Sequence, residues 1–309
     1  MPMEPLISGQ ESYCAELTRQ NDEPIYGSAT EAKYWFLLEY GQPWRSKAVT
    51  DNDLPLQVQD FLSRQLAAIP HSRLLFIKQQ QVKQEKLRFF VVKTAEIAPT
   101  IYEFDLNAYE DLLTLNIAAI VAEQETYNHF KRENPLFLVC TNGKRDRCCA
   151  KFGRPVYEAL QQSQGEAVWQ SSHIGGHRYA PTLLFLPHGV NFGLFTPEEA
   201  QAAVDACLDG QIHDLARYRG RTYYAPHVQA ADFFLRQELD YHTLAGIQLR
   251  TVQPVEENSW IVQFDVLATG GIHELRVQRQ MTAHERLVSC SSPAEKVVPR
   301  YRLVEYAIV

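Results

Sequence analysis

Residues 135–162 read PLFLVCTNGKRDRCCAKFGRPVYEALQQ. The stretch opens on a continuous apolar run, Leu136 to Cys140, the pattern of a strand buried on both faces. A polar loop, TNGKRDR, follows, and then Cys148 and Cys149. RPVYEALQQ (154–162) predicts a short helix with Pro155 near its first turn, where the fixed φ of proline is tolerated. The unit is therefore α/β, with three thiols between its strand and its helix.

Working outward, EAVWQSS (166–172), TLLFLP (182–187) and VNFGLF (190–195) predict strands. TPEEAQAAVDACLDG (196–210) predicts a helix: Thr196 caps it, Pro197 and two glutamates fill the first turn, and Gly210 stops it. Upstream, residues 1–30 read as irregular. SATEAKYWFLLEY (28–40) predicts a helix leading into a strand, with Ser28 as cap. LPLQVQDFLSRQLAAI (54–69) is helical by spacing and is ended by Pro70. RLLFIK (73–78) and LRFFVVK (87–93) predict strands joined by the polar turn KQQQVKQEK (78–86). TIYEFDL (100–106) predicts a third strand and YEDLLTLNIAAIVAEQ (109–124) a helix. Both segments thus run strand, helix, strand, strand, strand, helix, an order compatible with a thioredoxin-like sandwich of helices on a mixed sheet.

The expected fold class is α/β (α+β), with two tandem thioredoxin-like lobes related by element order and not by residue identity. A degenerate N-terminal lobe spans 1–130 and a second, carrying the cysteines, spans 131–227. A C-terminal α+β appendage covers 228–309. HDLARYRGRTYYAP (213–226) reads as a basic, aromatic connector and VQAADFFLRQELDYH (228–242) as a helix. Strands are expected over 246–252, 259–268, 271–280 and 300–309, with Gly270–Gly271 as a hairpin turn.

The 309 residues are 45% hydrophobic and 22% charged, enough apolar mass for two or three domains. A net charge of -7 argues against a nucleic-acid partner. No run of eighteen apolar residues exists, so no membrane span is expected. The N-terminus, MPMEPLISGQESYCAEL, lacks the basic start and apolar core of a secretory signal. Six cysteines are too few for a disulfide scaffold, and three of them within residues 140–149 form a site pattern. A reducing, cytoplasmic compartment is expected.

WQSSHIGGHRYA (169–180) sets His173 and His177 four residues apart across two glycines. Consecutive glycines weaken a helix by about 1 kcal/mol each and suit a loop that turns tightly or approaches something closely. A lone histidine of this kind is more often hydrogen-bonded than metal-bound; a pair after a cysteine-rich basic segment points the other way. Lys144, Arg145, Arg147 and Lys151 surround Cys148 and Cys149, and positive neighbours favour thiolate. Two thiolates and two imidazoles suit Zn²⁺ or an iron–sulfur centre, not Mg²⁺ or Ca²⁺. Neither the nine-residue step from Cys140 to Cys149 nor the adjacent pair is a zinc-finger knuckle. A [2Fe–2S] rhomb is larger than one ion, so its ligands can come from two loops, and His can replace Cys on one iron.

CTNGKRDRCCA (140–150), WQSSHIGGHRYAPTLLFLPHGVNFG (169–193) and YRGRTYYAPHVQAA (218–231) resemble the sucrase/ferredoxin-like family. CAELTRQNDEPIYGSATEAKYWFLLEY (14–40) resembles its bacterial branch, so the likeness runs from about residue 14 to 235. The resemblance implies a thioredoxin-like ferredoxin whose [2Fe–2S] cluster is bound by two Cys and two His. Arg145 and Asp146 match the family's Arg-Asp pair, which implies Cys140, Cys149, His173 and His177 as ligands. Arg145, Asp146, Gly175, Gly176 and Arg178 are expected to support them from just outside. Cys148 stands where fungal relatives carry another residue, and is left as an alternative ligand, a redox-active neighbour or a packed thiol.

The expected function is electron transfer to an unidentified redox partner protein, with Lys144, Arg145 and Arg147 as a basic rim for it. Imidazole ligation implies a raised potential and proton-coupled reduction. The alternatives are a thiol redox protein using Cys148 and Cys149, against which the lack of C-x-x-C counts, and a zinc-stabilised interaction module. No catalytic residue is assigned. No carboxylate pair is placed for glycoside hydrolysis, so a carrier or oxidoreductase component is expected rather than a hydrolase.

Cys14 and His71 are the only Cys or His among residues 1–120, too few for a second such cluster there. Trp169 and Cys207 are expected in the core, Cys290 as a buried or half-buried thiol of the appendage, and His188 in a turn. Arg178 is expected as a cation beside the cluster, as a docking contact for a partner, or in a surface salt bridge. Tyr218, Arg219 and Arg221 are read as a structural basic-aromatic patch.

Overall fold

The computed structural model describes residues 13–80, 86–283 and 285–309. The readings of residues 1–12 and of the middle of the polar turn, 81–85, lie outside the described residues. The first part of the chain contains α1 (Cys14–Gln20), β1 (Tyr34–Glu39), α2 (Leu56–Ala68), β2 (Ser72–Lys78), β3 (Leu87–Lys93), β4 (Thr100–Leu106), α3 (Ile117–Val121) and β5 (Lys131–Arg132). Then come β6 (Leu136–Cys140), α4 (Arg147–Gln164), β7 (Val168–Ser171), β8 (Thr182–Leu186), β9 (Val190–Gly193), α5 (Pro197–Leu208), β10 (Tyr218–Arg221) and α6 (Pro226–Leu239). The tail holds β11 (Ile247–Glu256), β12 (Ser259–Val266), β13 (Ile272–Met281), β14 (Arg286–Ser289), β15 (Ser292–Lys296) and β16 (Pro299–Ile308).

Among the described residues ten strands form one mixed sheet, ordered β10-β9-β8-β6-β7-β2-β1-β3-β4-β5. In the first half β1 runs parallel to β2 and antiparallel to β3, which pairs antiparallel with β4. In the second half β6 runs parallel to β7 and antiparallel to β8, which pairs antiparallel with β9. The order β2-β1-β3-β4 therefore recurs as β7-β6-β8-β9. The halves meet where β2 and β7 pair antiparallel, Ile77 opposite Ser171 and Lys78 opposite Gln170.

Strands β1, β2, β3, β6 and β8 read as largely unbroken apolar runs because both faces are covered. One side of the first half packs Phe36, Leu38, Phe76 and Phe89 against Val58, Phe61 and Leu62 of α2. The other side, with Trp35, Leu37, Leu75 and Phe90, shares a core with Leu138, Trp169 and Leu184 of the second half, and with Cys140 and Cys149. Phe137, Val139 and Tyr157 join a larger core that includes α5, α6 and Val262, Phe264, Leu275 and Val277 of the tail. The tail is a second, antiparallel sheet, β11-β12-β13-β16, plus the hairpin β14-β15. Among the described residues no helix is long and apolar enough to cross a membrane.

Several predicted elements need correction. Residues 28–33 are not helical: Ser28 and Ala32 donate their backbone N–H groups to the carbonyls of Arg219 and Thr222 instead. The helix lies earlier, as α1, within the region read as irregular. The helix expected over 109–124 is a 3₁₀ turn, Tyr109–Thr114, and then α3, because the side chain of Asn116 accepts from the Ala119 N–H and starts a new helix there. Residues 165–167 form a 3₁₀ turn before β7. The supposed connector 213–226 contains β10, the outer strand of the main sheet, so Tyr218, Arg219 and Arg221 are buried. The largest correction is α4. It begins seven residues before the predicted start, so Cys148 and Cys149 lie in its first turn and Pro155 lies in its interior.

Candidate metal centre

The end of β6 delivers Cys140. The chain then turns on Asn142, whose side-chain oxygen accepts from the Arg145 N–H at 3.2 Å. Asp146 is extended and caps α4, its Oδ1 accepting from the Cys148 N–H at 2.9 Å. Successive helical residues diverge by about 100°. Cys149 therefore faces Cys140, whereas Cys148 faces Cys14 and Cys290. A Cβ added at Gly153 would stand 2.2 Å from the Cys140 carbonyl oxygen, so glycine is what lets α4 press onto the strand end.

Beyond β7, Ser172 bridges the two halves: its Oγ accepts from the Phe76 N–H at 3.0 Å. The Gly-Gly loop then carries both imidazoles. Gly176 has φ +71°, in the left-handed region that glycine favours, and opens the 3₁₀ turn His177–Tyr179. Beneath it lies Arg219, buried, donating to Ser28 Oγ at 3.1 Å, to the Gly175 carbonyl at 3.2 Å and to the Ser28 carbonyl. Burial lowers its guanidinium pKa to about 10. Thr30 Oγ1 donates to the Ile174 carbonyl at 2.8 Å and holds the loop from the other side.

Cys140 Sγ and Cys149 Sγ lie 3.8 and 3.9 Å from His173 Nδ1. These three ligand atoms are all within 4.8 Å of one another. His177 is the outer member: its Nδ1 is 3.4 Å from His173 Nε2, and its Nε2 is 3.9 Å from Asp146 Oδ2. The hydrogen bond from Cys149, with His173 adding to it, holds the Cys140 thiol well below its ordinary pKa, and Cys149 is pushed up in turn. Burial lowers His177, with the Asp146 charge partly opposing. Burial alone would raise Asp146, but the Cys148 N–H, Ser289 and His177 outweigh it and keep the carboxylate low.

The expected supports are distributed unevenly. Arg145 lies near enough to His177 to bias it against protonation. Arg178 is buried in an ion pair with Glu23 and donates to Thr18 Oγ1 at 3.3 Å, so it is not a surface bridge. Arg147 and Lys151 stack over the Tyr13 ring, 5.5 and 3.8 Å from its centre. Trp169 and Cys207 are core residues and His188 lies in a turn.

A second thiol group escaped the sequence. Cys148 Sγ lies 3.4 Å from Cys14 Sγ and 3.2 Å from Cys290 Sγ. The Cys14 hydrogen bond and burial raise the Cys148 pKa, and burial pushes Cys290 up to about 11. Arg219, Glu23 and Thr30 were also missed as supports of the loop. The only signal for Arg219 was its place in YRGR, within a segment read as a connector. Sulfur and imidazole donors gathered in this way fit a soft or borderline metal.

Among curated proteins the chain is similar to Altered inheritance of mitochondria protein 32 of Meyerozyma guilliermondii, at 29% identity over 143 residues, covering 36% of this chain and 51% of that protein. The match thus spans about half the length of that relative. No solved structure matches. The sequence profile described as sucrase/ferredoxin-like matches residues 25–220, well over half the chain and all of the Cys140–His177 centre. The chain belongs to the sucrase/ferredoxin-like family.

Proposed function

We propose that this protein is an electron carrier whose [2Fe–2S] cluster is held by Cys140, Cys149, His173 and His177. The observation that carries this reading is the meeting of two buried sulfurs and the Gly-Gly loop, with His173 Nδ1 within 3.9 Å of both sulfurs. The donor chemistry fits: two thiols, one of them favoured as thiolate, and two imidazoles. When bound, such a cluster supplies one-electron chemistry at a potential above that of four-cysteine ligation. The Asp146 carboxylate stands 3.9 Å from the far nitrogen of His177, beyond hydrogen-bond reach, and acts on that ring through its charge. Arg219 fixes the loop, and Ile174 and Trp169 exclude water from behind. A recess bordered by Lys47, Asn142, Arg145 and His173 opens beside the site, and its two cations suit an acidic redox partner.

The recurring strand order supports reading the main sheet as two tandem thioredoxin-like lobes, 1–130 and 131–227, with 228–309 appended. Six free cysteines favour a reducing, cytoplasmic setting.

Chain purified without oxygen is expected to be red-brown, with two iron and two sulfide per chain. Cys140→Ser should lose the colour, and His177→Cys should keep it at a lower midpoint potential. The wild-type midpoint should fall as pH rises above the imidazole pKa of the oxidised form. A pH-independent midpoint would remove the coupling to protons. A second reading is zinc, favoured by the compactness of Cys140, Cys149 and His173 within 4.8 Å. A colourless chain whose zinc is lost in Cys140→Ser would establish it in place of the first.

A further inference from the structure

Cys14 opens α1, Cys148 lies in the first turn of α4, and Cys290 sits at the turn between β14 and β15. The first and last are 276 residues apart in the chain, yet their sulfurs are separated by 3.6 Å. With Cys148 at 3.4 and 3.2 Å, the three sulfurs form a triangle. An Asp146 carboxylate oxygen joins them, all four atoms within 4.8 Å of one another.

Packing does not call for this arrangement. A thiol is a weak donor and a weak acceptor, so any small apolar side chain would fill these three positions as well. Asp146 is fully buried. It accepts from the Cys148 N–H at 2.9 Å, Ser289 Oγ at 2.9 Å and the Cys290 N–H at 2.8 Å. A carboxylate offers about four lone-pair sites, so one remains for a cation. A buried carboxylate against three ionisable thiols is a site that a divalent ion neutralises. The size fits a single ion. Sulfurs tetrahedrally placed about 2.3 Å from zinc stand about 3.8 Å apart, within about 0.6 Å of every edge of the triangle.

We propose that Cys14, Cys148 and Cys290 bind a structural zinc ion, with Asp146 in the fourth position, at a site separate from the Cys140–His177 centre. The ion staples the N-terminal helix and the tail hairpin to the first turn of α4. Cys148 and Cys149 then serve two different centres from adjacent positions, because the helix turns them apart.

The test is elemental analysis of the full chain. Wild type should hold one zinc that persists in Cys140→Ser and in His173→Ala. That zinc should be lost in Cys14→Ser and in Cys290→Ser while iron and sulfide at the other centre persist, and Cys207→Ala should retain it. X-ray absorption should place three sulfurs and one oxygen around it, the sulfurs at about 2.3 Å. If Cys14→Ser does not fold, Cys290→Ser, at a half-buried turn, still decides. Zinc dependent on Cys140 but not on Cys290 overturns the staple and supports only the zinc reading of the first centre. So does a chain that takes up no Cys290-dependent zinc from excess Zn²⁺, or a disulfide among the three in the native protein.

Discussion

Gly153 shows how tightly the centre is set at the level of single residues. With the Cys140 carbonyl 2.2 Å from any added Cβ, Gly153→Ala must push α4 off the end of β6 and part Cys140 from Cys149. Such overpacking costs about 1–3 kcal/mol, so a lower melting temperature and a smaller metal content are expected together. His188 offers a pH test. Burial, with Arg221 adding, lowers its pKa to about 4. The unfolded value is about 6.5, so the neutral folded form contributes stability that is whole above pH 6.5 and lost as pH falls towards 4. Urea unfolding between pH 7 and 4 should show His188→Gln losing less stability than wild type, by roughly 1–2 kcal/mol after solvent screening. Equal losses would exclude the effect. His173 and His177, and the group Cys140, Cys148 and Cys149, stood out in the sequence because each is local, while the choice of Cys140 and Cys149 came from the family resemblance. Cys14 and Cys290 did not, since nothing in their spacing joins residues that only tertiary folding brings together. The surface reading of Arg178 failed because a charge reads as solvated until its buried partner is known.

At the scale of elements, the start of α4 positions both thiol groups. Asp146→Ala removes the cap, worth about 1–2 kcal/mol, and strands the donors of Ser289 and Cys290. Asp146→Asn keeps a capping oxygen but turns an amide NH2 towards the Cys290 N–H, so it should fall between wild type and Asp146→Ala. Thermal melts of the two variants separate the cap from the second carboxylate oxygen. This start was legible in principle, since Asp is a preferred cap. It was hidden because Pro155 resembled a first-turn proline and RCCAKFG lacks a clear apolar stripe. The inner strands of the main sheet were easier, since buried strands announce themselves as apolar runs, whereas YRGR of β10 and KR of β5 carry no such run. The hairpin β14-β15 was not, because RLVS and SPAEK carry too little alternation. The 109–124 helix failed for a different reason, a capping Asn116 in mid-run.

For the whole molecule, Glu23 gathers three distant parts of the chain. It pairs with Arg178 of the histidine loop, with Arg286 at 3.1 Å and with Arg300 at 3.8 Å. Glu23→Gln leaves Arg178 buried without its counter-charge, a loss of about 3–5 kcal/mol. The expected result is a lower melting temperature with earlier proteolysis of the tail. Unchanged cleavage would mean that the tail is held by other contacts. The repeat of element order was legible from the sequence. The continuity of the second half's core with the tail sheet was not, because alternation along a strand says which face is apolar but not what covers it. The joining of the two halves has a further result. Their inner rims meet at two residue pairs between β2 and β7, and the outermost strands are β10, of four residues, and β5, of two. Edge strands this short give a foreign extended segment few backbone groups to line up with at β10 and β5, a device that disfavours fibre growth there.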